Sequence, residues 1–273
     1  MTPRWSSTLT GSEVYEADCR TVAPAFTGVA SLAILDGPYL LGVGKAAWDR
    51  APRGVTLGDV YREHLDDVGR VCGPSASLYL WNTSAGWAEL HPLVLARGWV
   101  FRSLIVWDKV TPPSMLGWRT ARGFIDTTEV CGFYGRGDWA FNHGGEALGN
   151  VWPFSMKALS LEMMRTGEKV AHRGNQGDVL EAVHPCQKPL LFAERMIRAS
   201  SRPRDTVWVP FGGTLRELVA AERIARADPG EARRVVTCEI NADGRDYIGA
   251  ALEQVEGRAG VDRRQVGLFG GAG

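Results

Sequence analysis

Short apolar runs that stop abruptly at turn residues constrain the fold of this chain more than any other feature. Ala30–Leu35 ends at an Asp-Gly-Pro turn, and Thr206–Val209 ends at a Pro-Phe-Gly-Gly turn. Both runs have the length and composition of buried parallel strands. A third run at 234–240 follows a helical pattern at 215–226 and a Pro-Gly break. A strand, a helix and a strand in this order predict an α/β sheet with crossover helices.

The same alternation continues between these runs. Helical patterns cover 57–72 and 88–97, and the first is followed by a Gly-Pro break. Strand patterns cover 77–81 and 103–107. The sequence therefore predicts one α/β sheet with helices on both faces.

The segment 109–183 interrupts this pattern. It contains a Pro-Pro pair and four glycines within residues 135–145, and it shows no regular period. We interpret it as an insertion grafted on the sheet. The chain then divides into a first half over 1–108, the insertion, a second half over 184–260 and a flexible tail over 261–273.

The overall charge gives no argument for a nucleic-acid partner. Lys plus Arg and Asp plus Glu both number 31, so the formal net charge is +0. The stretch 97–122 is nevertheless locally basic, because Asp108 is its one acidic residue. The basic residues there are Arg97, Arg102, Lys109, Arg119 and Arg122. This stretch either faces an anion or forms an ordinary solvated surface.

The sequence also limits compartment and metal chemistry. No apolar run reaches the roughly 18 residues that a membrane span needs, and the N-terminus is polar, so we expect a cytoplasmic protein. The five cysteines and five histidines are dispersed, without a C-x-x-C spacing. The sequence therefore indicates neither a disulfide framework nor a metal site.

The turn after the first strand offers the sharpest chemistry. Asp36 and the carbonyl of Pro38 can accept hydrogen bonds, and Tyr39 can stack on a flat ring. The carboxyl end of a strand is where α/β sheets bind ligands. An amino group on a heteroaromatic base needs this combination, although an ordinary Asp-Gly-Pro turn has the same sequence.

Two further motifs lie in the second half. The turn with Gly212 and Gly213 lets backbone approach a nucleotide-like cofactor, and Glu239 ends the next strand, where it can accept hydrogen bonds from ribose hydroxyls. The turn lacks the G-x-G-x-x-G fingerprint of dinucleotide sites. The hexapeptide 184–189, His-Pro-Cys-Gln-Lys-Pro, precedes an amphipathic segment. Its Lys188 can face the cofactor or DNA, or the hexapeptide can simply start a helix.

In this order the three motifs resemble the DNA amino-methyltransferases whose catalytic tetrapeptide precedes the cofactor-binding motif. Residues 36–39 match the family's Asp-Pro-Pro-Tyr, and 184–189 match its His-Pro-Thr-Gln-Lys-Pro. Residues 209–215 are similar to its Asp-Pro-Phe-x-Gly-Ser-Gly. The resemblance covers roughly 12–253 and includes the stretch 129–133, Glu-Val-Cys-Gly-Phe.

The resemblance implies a Rossmann-like methyltransferase sheet, with S-adenosylmethionine as cofactor and double-stranded DNA as partner. The product would be a methylated exocyclic amino group on a flipped base, with adenine N6 favoured over cytosine N4 because the tetrapeptide begins with Asp. The resemblance implies that the first half, 1–108, is catalytic and that 109–183 is the target-recognition region. The second half, 184–260, would bind the cofactor. A homodimer and a role in restriction-modification are compatible with it. The implied residues are Asp36, Pro38 and Tyr39 for catalysis; Asp18, Lys188, Phe211, Gly212, Gly213, Glu239 and Asn241 for the cofactor; and Lys109, Arg119 and Arg122 for DNA phosphates.

Three departures from the family's motifs matter. Gly37 replaces the first proline, which loosens the turn that aims the carboxylate. Val209 replaces an aspartate, and Leu215 with Arg216 replaces a Gly-Thr pair. The altered cofactor motif leaves open a non-catalytic DNA-binding subunit of the same fold. Methylation of RNA is a third hypothesis, for which the sequence has no distinguishing mark.

Overall fold

The computed structural model describes residues 1–41, 49–50, 53–110, 123–165, 169–174, 177–182, 186–240 and 246–257. Within these ranges the strands are β1 Trp5–Ser6, β2 Glu13–Tyr15, β3 Ala30–Leu35, β4 Cys72–Asn82, β5 Val100–Asp108, β6 Thr128–Arg136, β7 Val151–Pro153, β8 Lys169–Gly174, β9 Gly177–Ala182, β10 Thr206–Val209 and β11 Arg234–Cys238. The helices there are α1 Cys19–Val22, α2 Leu57–Val71, α3 Ser84–Leu95, α4 Met156–Arg165, α5 Leu190–Ser200, α6 Arg216–Ala227 and α7 Tyr247–Val255. None of these helices is both long enough and apolar enough to cross a membrane.

One large sheet organises the chain. Its strand order is β1-β2-β11-β10-β3-β4-β6-β5-β7, while β8 and β9 form a separate antiparallel hairpin. The five strands from β2 to β4 in this order are parallel neighbours. Their carboxyl ends therefore lie along one side of the sheet, here called the carboxyl edge. The α/β fold predicted from the sequence is confirmed.

Helices cover both faces, as expected, because β4 sends alternate side chains to opposite sides. Tyr79 and Trp81 belong to one core, with residues of α5, α6 and α7, and Leu78 and Leu80 belong to the other, with residues of α2 and α3. In the first core the rings of Trp81 and Phe192 stack with 5.9 Å between centroids. The strand period of two thus places a hydrophobic layer on each face.

Two predicted helices differ at their ends. Thr56 starts α2 with a capping box, as its side chain accepts from the Asp59 amide while Asp59 bonds back to the Thr56 backbone. α2 stops at Val71 and β4 starts at the next residue, so the Gly-Pro pair expected to break the helix lies inside a strand. Thr83 caps α3, which therefore begins four residues before the predicted start.

The expectation that 109–183 lies outside the sheet is wrong for part of it. β6 lies between β4 and β5 and is antiparallel to both, and β7 pairs with β5 at the end of the sheet. β6 is buried at six consecutive residues, which removes the alternation that identifies a half-exposed strand. The role of the remainder in target recognition stays a prediction.

Candidate active site

The common direction of the parallel strands brings Asp36 to the carboxyl edge, directly after β3. β3 lies in the middle of the sheet, between β10 and β4. β6 runs in the opposite direction, so its beginning, with Glu129, reaches the same edge. The two carboxylates therefore meet although they lie 93 positions apart in sequence and on strands of opposite direction.

Lys188 joins these two carboxylates. Its Nζ lies 2.8 Å from Oδ1 and 2.8 Å from Oδ2 of Asp36, and 3.1 Å from Oε2 of Glu129. Lys109 adds a second ammonium group, 2.6 Å from Oε1 of Glu129. Two ammonium groups thus face two carboxylates, and the cluster is neutral when all four are charged.

Tyr39 completes the cluster. Its hydroxyl lies 3.0 Å from Oδ1 of Asp36 and 3.1 Å from Oε2 of Glu129, and it donates its single hydrogen to one of them. The ammonium of Lys188 donates to the hydroxyl oxygen of Tyr39 at 3.1 Å. The turn itself is held by Asp49, whose Oδ1 accepts from the amides of Tyr39 and Leu40. Pro38, between these two anchored residues, is half-buried.

Burial and ion pairing set the charge states. Burial raises the pKa of Asp36, and the ammonium of Lys188 opposes this shift. Burial acts on Glu129 in the same direction, but Lys188 and Lys109 outweigh it and lower the pKa of Glu129 to about 2. Burial works against the charged form of Lys188, yet the two carboxylates raise its pKa above the ordinary value. Glu129 is therefore ionised and Lys188 protonated at neutral pH.

The geometry leaves limited room on the Asp36 carboxylate. A carboxylate offers about four lone-pair directions. Among the described residues, Lys188 contacts both oxygens and Tyr39 contacts one of them. An incoming amino group can therefore donate to Asp36, but it has to share the carboxylate with Lys188.

The glycine turn after β10 lies next to Glu239, as the sequence predicts. The amide of Gly213 donates to Oε2 of Glu239 at 2.7 Å, and the amide of Gly212 donates to the carbonyl of Cys238 at 2.7 Å. A Cβ on Gly212 would lie 2.7 to 2.9 Å from Leu215, Thr237 and Cys238, so the turn accepts no side chain there. Gly213 has a φ of +50°. This tight backbone fits the close approach of a nucleoside cofactor.

Leu215 keeps the backbone shape of the glycine that it replaces. Its φ and ψ are 53° and 39°, in the left-handed region that favours glycine. The side chain is buried and contacts the position of Gly212, which offsets the conformational cost. The departure at 215 therefore changes the side chain without straightening the turn.

Asp18 and Phe211 lie on two sides of this turn. β2 pairs with β11, and Asp18 follows shortly after β2, where it caps α1 and pairs with Arg20 at 2.6 Å. The ring of Phe211 lies 4.7 Å from the ring of His64 and also borders Gly37. Phe211 thus connects the glycine turn to the tetrapeptide 36–39, which the sequence predicts to be catalytic.

The ammonium of Lys188, which the sequence grouped with the cofactor residues, contacts Asp36 and Glu129. Its role in binding the cofactor stays a prediction. Lys109, predicted to bind phosphate, pairs with Glu129. Other predicted or motif residues lie outside the described residues, namely Arg119, Arg122, His184, Pro185 and Asn241.

Sequence reasoning gave no role to three residues near the site. Glu129 belongs to the stretch 129–133 that resembles the family, and a glutamate at the start of a buried strand is a signal that could have identified it. Asp49 carried no signal. Glu217, in the first turn of α6, is buried, and this burial with the charge of Asp36 raises its pKa to about 7. Buried carboxylates of this kind often mark functional sites.

Comparisons with known proteins agree with this geometry. The N6/N4 methyltransferase family, described as DNA methylase, matches residues 30–254. The chain is 27% identical over 260 residues to the type II methyltransferase M1.MboII of Moraxella bovis, covering 82% of this chain and 90% of the relative. It is 23% identical over 201 residues to the type II methyltransferase M2.LlaDCHI of Lactococcus lactis subsp. cremoris, covering 70% of this chain and 67% of the relative.

Solved structures share the fold. The cytosine-N4-specific PvuII DNA methyltransferase has a TM-score of 0.63 at 15% identity, covering 93% of this chain and 95% of its own. The complex of M1.HpyAVI with S-adenosylmethionine has a TM-score of 0.58 at 16% identity, covering 89% and 98%. With a family match over most of its length, the chain belongs to the N6/N4 family of S-adenosylmethionine-dependent DNA methyltransferases.

Proposed function

We propose that this protein methylates the exocyclic amino group of a base in double-stranded DNA, with adenine N6 as the preferred target. The observation that carries the proposal is the position of Asp36. Its carboxylate lies at the carboxyl edge, and Phe211 connects its turn to the turn bonded to Glu239. The side with Asp36 suits an amino group, and the side with Glu239 suits a nucleoside.

Each part has a chemical task. S-adenosylmethionine would supply an electrophilic methyl group, whose S–CH3 bond breaks on transfer and leaves the neutral thioether S-adenosylhomocysteine. The lone pair of a base amino nitrogen is delocalised into the ring, so the nitrogen is a poor nucleophile. Hydrogen bonds from the amino group to Asp36 and the Pro38 carbonyl favour a more pyramidal nitrogen and fix its direction. When the N–CH3 bond forms, the nitrogen loses one proton, and Asp36 is the carboxylate placed to receive it.

The target base has to leave the duplex to reach this edge. A base stacked inside a helix cannot approach Asp36, so we infer that it is flipped out and held against Tyr39. Arg119 and Arg122 would bind phosphates, which gives affinity without sequence selectivity. A homodimer, a cytoplasmic location and a partner nuclease remain predictions.

The choice between adenine and cytosine rests on the aspartate that opens the tetrapeptide. A direct test incubates the full chain with duplex DNA and methyl-labelled S-adenosylmethionine, digests the DNA to nucleosides and separates them by mass spectrometry. We expect label in N6-methyladenine. Label in N4-methylcytosine would reverse the preference, and cofactor binding without any transfer would favour a non-catalytic DNA-binding subunit.

A further inference from the structure

Gly37 is enclosed by two aromatic side chains from different elements. A Cβ at this position would lie 2.6 Å from Oη of Tyr61 and 2.7 Å from Cε2 of Phe211, closer than real Cβ atoms approach a neighbour. The φ of Gly37 is not positive. Glycine is therefore needed here for space and not for backbone conformation, and the proline that the family carries cannot fit while Tyr61 stays in place.

Tyr61 is held firmly in that position. It lies on α2, is fully buried, and packs in the core with Leu65 and Val68. Its ring lies 5.9 Å from that of Phe211. Rotating the phenol away from Gly37 would open this core, so the contact is a fixed part of the fold.

The Tyr61 hydroxyl also lies close to the reacting groups. Burial raises the pKa of Tyr61 well above its ordinary value, and the charge of Asp36 adds to this shift. The phenol oxygen faces the Gly37 amide and the Asn82 side chain, which favour its ionised form. Among the described residues, none forms a hydrogen bond of normal geometry with it. The phenol thus acts on the tetrapeptide by packing.

We propose that Tyr61 is a positioning residue that takes the place of the missing proline. Its ring fills the space beside Gly37 and, through Phe211, fixes Asp36 relative to the cofactor turn. The loosening that glycine introduces in the turn is thereby offset by a side chain from another element. This inference rests on the proposed function for its catalytic consequence, but the packing relationship stands without it.

A double-mutant cycle of Gly37→Ala and Tyr61→Val tests the proposal. Gly37→Ala alone adds one carbon to a filled space, and we expect Tm to fall by about 4 to 10 °C and kcat by at least tenfold. Tyr61→Val alone should also lower both quantities. In the Tyr61→Val background, Gly37→Ala should lower Tm by less than it does alone, because the contact with Tyr61 is gone and only that with Phe211 remains. If the losses of Tm in the two single variants add fully in the double variant, the proposal is overturned.

Two controls separate positioning from general stability. Gly69→Ala lies on the same helix as Tyr61, where a new Cβ meets no atom within 4 Å, and it should leave Tm and kcat unchanged or slightly raise Tm. Tyr134→Val empties a similar volume in the same core. It should lower Tm without lowering kcat at saturating substrates. An equal loss of kcat in Tyr134→Val would make Tyr61 merely structural.

Cofactor titration completes the test. The Kd of S-adenosylmethionine should change by less than about threefold in Tyr61→Val, because the contacts at Glu239 are retained. A wild-type chain without methyl transfer would refute the proposed function. The Tm values of the cycle would still decide whether Tyr61 replaces the proline.

Discussion

Lys188 and Asp36 form a two-point ion pair, with the ammonium 2.8 Å from each carboxylate oxygen. The partners come from the segment before α5 and from the turn after β3, so the pair joins the two halves of the chain. The lysine occupies the side of Asp36 that also faces Glu129. Any ligand of Asp36 has to approach from the remaining side.

Removing Lys188 should destabilise the protein strongly. Lys188→Met leaves two partly buried carboxylates without the buried cation that they share, and breaking a buried pair costs about 3–5 kcal/mol. The double variant Lys188→Met/Glu129→Gln removes one of these charges and should recover part of the loss. Urea unfolding measures both. Arg20→Met, which breaks two exposed pairs, with Asp18 and Glu63, is the control and should cost about 1 kcal/mol or less.

Asp36→Ala should abolish methyl transfer while cofactor affinity stays within a few fold. The carboxylate faces the base side of the site, and Glu239 is bonded to the cofactor turn. A labelled-methyl transfer assay with duplex DNA measures the first quantity and titration calorimetry the second. Activity above a tenth of wild type would remove Asp36 from the catalytic residues.

Glu239→Ala should weaken cofactor binding by about 1.5–3 kcal/mol, or roughly 10- to 150-fold in Kd. The variant loses an acceptor for ribose hydroxyls and also the bond from the Gly213 amide, which orders the turn. Glu239→Gln keeps a neutral acceptor and should lose less. An unchanged Kd in Glu239→Ala would make this residue structural and place the cofactor pocket elsewhere.

Glu217 should make stability fall as the pH rises. Burial raises its pKa from 4.5 in the unfolded chain to about 7 in the fold. Between these values the folded state binds more protons than the unfolded state. The stabilisation that the protonated Glu217 contributes is therefore complete below about pH 4.5 and is lost as the pH rises through about 7. The full loss is about 3 kcal/mol.

Glu217→Gln should remove this dependence. The free energy of unfolding in urea, measured at pH 5 and pH 8, should fall less with pH in the variant than in wild type. Glu146→Gln, in an exposed loop, makes the same change of charge and should follow the wild-type curve. Parallel curves for Glu217→Gln and wild type would contradict a buried titrating carboxyl.

Phosphate contacts and base readout should respond differently to mutation. Arg119→Ala or Arg122→Ala should weaken binding to all duplexes alike and reduce the salt-dependence slope by about one per lost contact. Exchange of the exposed loop 142–149 for that of another family member should change which sequences are methylated. Sequencing of modified DNA measures this change. An unaltered target site would place recognition elsewhere.

The sequence predicts the parallel strands and the position of the turn at Asp36 well, because each strand ends at a recognisable turn. It does not predict β6, because the six consecutive buried residues of this strand lack the alternation that identifies a half-exposed strand. It also does not reveal that Lys188 pairs with Asp36 and Glu129, since a motif near a helix start does not show which neighbour its side chain contacts. The space beside Gly37 is equally hidden, because Tyr61 comes from a helix with no local relation to the turn.

The reversed direction of β6 has a consequence for how such an enzyme can acquire new targets. β5 ends and β6 begins at the carboxyl edge, and the amide of Lys109 closes this pair of strands on the carbonyl of Thr127. The connection 109–127 is therefore tied at both ends beside Asp36. Changes in its length or composition can leave the register of every strand unchanged, because both of its ends are fixed by the pairing of β5 with β6. We therefore expect that substrate choice can vary here without changes in the sheet.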